Sequence, residues 1–261
     1  MENHGYGDVV GSGSAPYLSS LARRCGIATN YDSVAHPSLP NYIAATSGQS
    51  GSALDRFLTD CSPSPDCSTS ARSIFAQAPS WRAYEQSMPG PCHRRDSGEY
   101  AVRHNPPPYY RSLRGCARFD VPIDRFHRDL VDGSLPAFAF VTPNVCNDTH
   151  DCPIETGDRW LSGIIPELIG SSAYRAGHTV VFITYDEGEG GGECHASGGG
   201  SSCHVPTVVV SPSTPAGKTS AEPFTHYSLL RTAEDLLGLP HLGAAAGAPS
   251  MAPAFGLSRS R

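Results

Sequence analysis

An α/β fold is predicted by three features of this sequence: a continuous β-branched run at 178–185, two further buried-strand patterns, and amphipathic helices set between and after them. His-Thr-Val-Val-Phe-Ile-Thr-Tyr (178–185) is apolar on successive residues, as a central parallel strand should be. Leu-Pro-Ala-Phe-Ala-Phe-Val (135–141) and the run that follows Cys203-His204-Val205-Pro206 have the same character. At 261 residues the chain suits one large domain.

Taken in order, Pro16 to Arg24 has helical apolar spacing, begins at a proline and stops at Gly26. Pro40 to Ser47, small and apolar, predicts a second helix closed by Gly48. Ser70 to Ala76 reads as a short helix leading to Trp81–Tyr84. Arg159 to Ile169 sets Trp160, Ile164, Ile165 and Leu168 on one face, with Asp158 as its candidate N-cap. The last clear helix, Thr225 to Leu237, has Thr225 as N-cap, Leu229, Leu230, Ala233, Leu236 and Leu237 on one face, and Gly238 as stop. His226 lies in its first turn, where the helix dipole disfavours a cation, so a neutral hydrogen-bonded ring or an exposed one is expected. Residues 1–240 are expected to form a single domain, and 241–261, rich in Ala, Gly, Pro and Ser, a mobile tail.

Lys+Arg of 19 against Asp+Glu of 25 leaves a net charge of −6. With no basic run and no interleaved aromatics, the balance argues against a nucleic-acid partner and for a small substrate. The 27 glycines and 23 prolines imply long loops over a modest regular core, which fits a site assembled from strand ends. Nine cysteines point to an exported, disulfide-stapled protein. Cys61/Cys67, Cys146/Cys152 and Cys194/Cys203 are close enough to pair; of Cys25, Cys92 and Cys116, two can pair and one is left over, and the sequence does not fix which. No Cys-x2-Cys pair occurs, which disfavours a zinc cluster. No leader or membrane-spanning run is legible here. The polar stretch Met1–Tyr6 opens where a buried strand should have ended, so a leader and a first strand are expected upstream of Met1.

Chemistry gathers at four places. His36-Pro37-Ser38-Leu39-Pro40-Asn41 puts a hydroxyl between two prolines and ahead of a helix, so Ser38 should stand at a helix N-terminus. A serine there can attack phosphorus while backbone N–H groups and the Asn41 amide stabilise phosphoryl oxygens; an N-cap without chemistry is the alternative. His104, in Val102-Arg103-His104-Asn105-Pro106, reads as a loop histidine or a ligand. Asn147-Asp148-Thr149-His150-Asp151 concentrates one imidazole and two carboxylates just after a strand, where α/β sites gather. Asp186-Glu187 ends the strongest strand ahead of Gly188 and the Gly190–Gly192 run, and adjacent carboxylates there call for a cation.

With these residues laid out, the chain resembles the phosphoesterase family of bacterial acid phosphatases and phosphatidylcholine-type phospholipases C, within the alkaline-phosphatase-like superfamily. The resemblance rests on Glu2-Asn3-His4, His36–Asn41, His104-Asn105-Pro106, Asp148–Asp151, Asp186-Glu187-Gly188 and His204-Val205-Pro206, in that order. It implies an alkaline-phosphatase-like sandwich with a central, mostly parallel β-sheet flanked by helices, here with its first strand missing. It further implies Ser38 as nucleophile and one divalent ion (Mg, Ca, Mn or Zn) on Glu2, Asn3, Ser38, Asp186 and Glu187. Asn41, His104, His150 and His204 would bind phosphoryl oxygens or protonate the leaving alkoxide. The family often has two aspartates where this chain has Asp186-Glu187. The implied activity is hydrolysis of phosphomonoesters through a Ser38 phosphoserine. Phospholipase C action on phospholipid is the rival reading, and a non-catalytic anion-binding module the alternative from another class. The expected partner is a small phosphorylated substrate or a phospholipid, with no nucleic acid, no stable membrane insertion and no protein partner.

Overall fold

The computed structural model describes residues 1–190, 194, 200 and 202–259. Among these, β1 (Gly26–Ala28), β2 (Tyr31–Asp32), β3 (Trp81–Glu85), β4 (Asp120–Pro122), β5 (Phe138–Thr142), β6 (Val181–Thr184), β7 (Thr207–Val210), β8 (Lys218–Ser220) and β9 (Phe224–Thr225) form three sheets. One has the order β6-β7-β1-β8, one β4-β3-β5, and β2 pairs with β9. Most pairings are parallel: β3 with β4 and β5, β1 with β8, and β2 with β9. β7 runs antiparallel to both neighbours. The mixed α/β, mostly parallel architecture expected from the sequence is present, with one correction. β6 is not a central parallel strand; it ends its sheet and pairs only with the antiparallel β7, because an apolar run reports burial on two faces and not the direction of its partners.

Helices cover both faces. Leu18 and Leu21 of the Pro16–Arg24 helix pack in one core with Leu161, Ile164, Ile165 and Leu168 of the Ile154–Ile169 helix, against the β7 valines. A second core joins Leu39 and Ile43 of the Ser38–Ser47 helix to Phe57, Phe75, Trp81, Tyr109 and Tyr110. The Ile154–Ile169 helix begins earlier than expected, with Pro153 at its N-cap, so Asp158 lies inside it. Its carboxylate caps a different helix, accepting the backbone N–H of Tyr17 at 2.9 Å and of Leu18 at 2.8 Å. Thr225 and Gly238 bound the His226–Leu237 helix as predicted: the Thr225 hydroxyl accepts from Tyr227 N–H, and Gly238 adopts φ 71°.

The C-terminal stretch is not a mobile tail in this structure. A short 3-10 segment, Gly243–Gly247, and a helix, Ala252–Phe255, pack onto the body, and Ala245, Met251 and Phe255 are fully buried. Ala244 N–H donates to Gly48 O at 2.8 Å. Gly48 ends the Ser38–Ser47 helix at φ 67°, and a Cβ there would lie 2.2 Å from Leu242 O, so this contact needs glycine. Composition hid the anchoring because two large apolar residues carry it.

Four disulfides are formed: Cys61–Cys67, Cys92–Cys116, Cys146–Cys152 and Cys194–Cys203, with Cys25 free. The three close pairs are those expected, and the structure resolves the remaining choice in favour of Cys92–Cys116. No helix among the described residues is long and apolar enough to cross a membrane.

Candidate active site

Ser38 is the first residue of its helix and is buried. Its Oγ donates to Glu2 Oε2 at 2.9 Å. One turn on, Tyr42 donates its hydroxyl to Glu2 Oε1 and lays its ring parallel to that of His104, centroids 5.5 Å apart. Glu2 itself has no solvent exposure. Its N–H donates to Asp148 O and its carbonyl accepts from Thr149 Oγ1, both at 2.8 Å. The Ile154–Ile169 helix approaches closely here, since a Cβ on Gly157 would stand 2.4 Å from Thr149 Cγ2 and 2.6 Å from Met1 Cε. A larger residue at 157 would push the Glu2 backbone out of place.

Asn41 departs from its expected role. Its Oδ1 accepts from the backbone N–H of Val34 and Ala35 at 3.0 and 3.1 Å, and its Nδ2 donates to Ala35 O at 2.9 Å and to Glu187 Oε2 at 2.8 Å. It therefore shapes the loop before Ser38 and anchors Glu187. The helix N-terminus is also partly spoken for, because Leu39 N–H donates to Asp60 Oδ1 at 2.8 Å.

Asp186 and Glu187 leave the end of β6 and are both buried. Asp186 Oδ1 accepts from Glu187 N–H at 2.7 Å and from Asn3 N–H at 3.4 Å, so Asn3 reaches Asp186 through its backbone. His226 Nε2 donates to Asp186 O at 2.7 Å, which leaves Nδ1 to accept from the Tyr31 hydroxyl at 3.0 Å. Burial holds His226 below its usual range, so it is the neutral hydrogen-bonded ring of the two forms expected. Burial also pushes Glu187 up to about 8, opposed by His36, whose Nδ1 lies 3.5 Å from Glu187 Oε2. Of the Gly190–Gly192 run, Gly191 and Gly192 lie outside the described residues.

The histidines divide. His104 is buried, with Nδ1 3.0 Å from Asp148 Oδ2, and burial holds its pKa below the usual value. Because a carboxylate only accepts, the neutral ring carries its hydrogen on Nδ1 and presents a bare lone pair at Nε2. That atom has no hydrogen-bond partner and lies 3.4 Å from Glu2 Oε2. His150, half-buried, has its ring 5.6 Å from that of His104. Arg103 donates to its Nε2 at 3.1 Å, so Nδ1 holds the hydrogen and donates to Asp151 Oδ1 at 2.6 Å. His204 is placed elsewhere. Its Nε2 donates to Thr29 O at 3.0 Å and its ring stacks on Tyr6 at 4.7 Å, so the structure does not bring it to Ser38.

Glu2 and Asp148 are carboxylates sealed from water, and Asp186 beside them is buried. Burial first, and then the charges of Asp186 and Asp148, push the Glu2 carboxyl well above its ordinary range. Among the described residues, ligand atoms of Glu2, His104 and Asp148 lie within 4.8 Å of one another. The other two His/Cys/Asp groupings contain the sulfurs of Cys194–Cys203 and Cys92–Cys116, which are spent in disulfides. Two buried atoms at the site lack partners, Asp186 Oδ2 and His104 Nε2. Oxygen donors, a bare imidazole lone pair and concentrated negative charge fit a divalent cation. Beside them a pocket of about 480 Å³, lined by Asn3, His4, Thr149, His150, Gly188 and Glu189 among others, opens to solvent.

Sequence reasoning missed Tyr42, and it singled out the Asp148–Asp151 cluster without giving Asp148 a role. Tyr42 lies four residues after Ser38 on the same helix, so helical period alone would have put it beside the hydroxyl. Asp148 acts on His104 across the chain, and no local signal marks that pairing.

The chain is 30% identical over 243 residues to a phosphate-repressible acid phosphatase of Penicillium chrysogenum, a match that takes in 87% of this chain and 55% of that one. It is 27% identical over 261 residues to a phosphatidylinositol-3-phosphatase of Mycobacterium tuberculosis, covering 98% of this chain and 80% of the other. A solved structure of a protein in the alkaline phosphatase superfamily from Vibrio parahaemolyticus superposes with a TM-score of 0.64 at 13% identity, over 95% of this chain and 68% of that one, which establishes the alkaline-phosphatase-like fold. The Phosphoesterase family model matches residues 11–240, and by that match this chain belongs to the Phosphoesterase family.

Proposed function

We propose that this protein hydrolyses phosphate esters, phosphomonoesters foremost, with Ser38 as the nucleophile. The observation that carries the reading is the Ser38 Oγ to Glu2 Oε2 hydrogen bond of 2.9 Å, at a helix start and inside a sealed cluster of carboxylates and imidazole. Both fungal and mycobacterial relatives named above are phosphatases, which supports the monoester preference.

Glu2, Asp186 and Glu187, with the bare Nε2 of His104, would hold a divalent ion beside Ser38, which would supply a Lewis acid and lower the pKa of the serine hydroxyl, and Asp148 orients the His104 ring. Glu2 Oε2 holds the Ser38 hydroxyl hydrogen and aims the oxygen. Attack forms the Ser38 O–P bond and breaks the bond from phosphorus to the leaving alcohol, giving a phosphoserine that water then hydrolyses. The leaving alkoxide takes its proton from water at the open pocket, which His150 lines; Arg103, donating to His150, brings a cation toward the phosphoryl oxygens. Asn41 and His36 hold Glu187 in place. Four disulfides support an oxidising, extracytoplasmic setting.

The test is turnover of p-nitrophenyl phosphate beside bis-p-nitrophenyl phosphate and p-nitrophenyl phosphorylcholine, with and without chelator. Monoester turnover that chelator abolishes is the expected result. Preference for the phosphorylcholine ester would move the assignment to phospholipase C, and no turnover by folded, metal-loaded protein would leave an anion-binding module.

A further inference from the structure

Charge is spread unevenly along this chain. Residues 56–120 hold nine arginines, no lysine and six carboxylic residues, although the whole chain carries −6. Of the six, Glu85 and Asp120 are buried and Asp60 is spent on the Leu39 N–H. Asp96 accepts from Val102 N–H at 2.8 Å, and Glu99 from Asn144 Nδ2 at 2.6 Å.

The exposed arginines gather on two adjoining supports. Thr69 N–H donates to Tyr109 O at 2.8 Å and Arg111 N–H to Thr69 O at 2.9 Å, which pairs the two stretches. Arg56 Nη1 donates to Ser68 O at 3.0 Å and Arg111 Nη1 to Pro65 O at 3.4 Å, so both guanidinium groups are held over this pairing, with Arg72 exposed just beyond it. The second support is the Cys92–Cys116 disulfide. It ties exposed Arg94 and Arg95 on one side to exposed Arg114 and Arg118 on the other. Arg94 Nη1 donates to Pro108 O at 2.9 Å, beside Tyr109, and so joins the two supports. Among the described residues the arginines that form ion pairs are Arg82, Arg103, Arg125 and Arg231, and none of these seven does. Backbone carbonyls fix three of the forks without neutralising them.

This face reaches the mouth of the site. Tyr109 is buried and donates its hydroxyl to Cys61 O at 2.8 Å. Burial pushes that hydroxyl up, and the charges of Asp60, Asp96, Arg103 and Arg94 also act on it, so Arg94 and Arg103 flank one ring. Arg103 in turn donates to His150 at the open pocket.

We propose that the arginine face docks a soluble substrate that carries further phosphate groups beside the ester cleaved at Ser38, an inositol or sugar polyphosphate in class. The substrate part of this inference rests on the phosphatase reading above. A guanidinium fork takes two oxygens of one phosphate, and forks already held by the backbone lose little freedom on binding. A bilayer offers the same phosphate chemistry, but the face lacks an apolar anchor. The helical segments within residues 55–120 are three or four residues long, and among the described residues Leu58 is the single exposed large apolar side chain there.

The test measures binding of inositol hexakisphosphate by calorimetry to the Ser38→Ala protein, which cannot turn it over. Arg95→Glu with Arg114→Glu reverses two exposed charges that make no hydrogen bond or ion pair among the described residues. This pair should weaken binding by about 10-fold or more and leave Tm unchanged, whereas the same reversal at Arg23 and Arg24, exposed outside the face, should leave binding within about twofold. With Ser38 present, the first pair should lower kcat/KM for the hexakisphosphate by a similar factor and leave that for p-nitrophenyl phosphate within about twofold. Binding that Arg95→Glu with Arg114→Glu leaves unchanged, or that both pairs weaken equally, overturns the proposal. So does binding to phosphatidylserine vesicles that the first pair abolishes, with no saturable binding of the hexakisphosphate, which marks a bilayer face. Because binding is read without turnover, face-dependent binding with hydrolysis of neither ester upholds the docking surface and strikes the phosphatase reading instead.

Discussion

Ser38 Oγ donates to Glu2 Oε2 at 2.9 Å, tying the first residue of a helix to the second residue of the chain. Tyr42, Asp148 and Thr149 hold Glu2 in place. Replacing Ser38 by Ala removes the attacking atom and leaves the burial of its neighbours almost unchanged. Turnover should fall by roughly 10³- to 10⁶-fold, as for other lost nucleophiles, with circular dichroism and metal content unaltered. Turnover at the unaltered rate would remove Ser38 from the mechanism.

Tyr42 gives Glu2 its second hydroxyl and stacks on His104, so it braces two candidate ligands at once. Tyr42→Phe keeps the ring and deletes the hydrogen bond. Metal affinity, read by competition with a coloured chelator, should weaken by about 10- to 100-fold, with turnover restored at high metal. If affinity is unchanged while Tm drops, Tyr42 serves packing alone.

Asp158 sits within one helix and caps another through Tyr17 and Leu18. Asp158→Ala leaves two N–H groups at a helix start without their acceptor, one of them in a buried hydrogen bond. Denaturant unfolding should show a loss of about 1–3 kcal/mol. A change below about 0.5 kcal/mol would mean that water replaces the carboxylate at both N–H groups.

What could be read from sequence divides along the same physical line as these predictions. The helix from His226 to Leu237 was legible because its period, its Thr225 cap and its Gly238 stop are all local. Ser38 at a helix start was legible for the same reason, from the prolines around it. Asp158 was read as the cap of its own helix because nothing local reveals that Pro153 already starts that helix, or which neighbour lies above. Likewise the composition of β6 predicts burial on both faces, whereas three of its four residues are half-buried and its partner is antiparallel. The site carboxylates Asp186 and Glu187 stood out by their cost at a strand end, whereas Asp148 and Tyr42 matter through contacts that only the fold creates.

Away from the site, Glu85 and Asp120 form a second pair of buried carboxyls on adjacent strands, β3 and β4. Glu85 Oε1 accepts from the Thr142 hydroxyl at 3.2 Å, and Asp120 accepts from Asn105 Nδ2 at 3.0 and 3.1 Å. Burial raises Glu85 well above its ordinary value, with the Asp120 charge adding to it, and burial lifts Asp120 from 3.8 to about 7. Folded chains therefore hold protons here that unfolded chains release. The contribution of the pair is fully present below about pH 4 and is lost as pH rises through about 7, with a limiting slope of roughly 1.4 kcal/mol per pH unit for each proton. Tm should consequently fall between pH 5 and pH 8. Glu85→Gln keeps the shape and cannot ionise, so it should flatten that fall and raise Tm at pH 8 relative to the unaltered chain. Parallel Tm curves for the two proteins would place the pH dependence elsewhere, and a Glu85→Gln protein less stable at pH 8 than the unaltered chain would mean that the ionised carboxylate is the form the fold prefers.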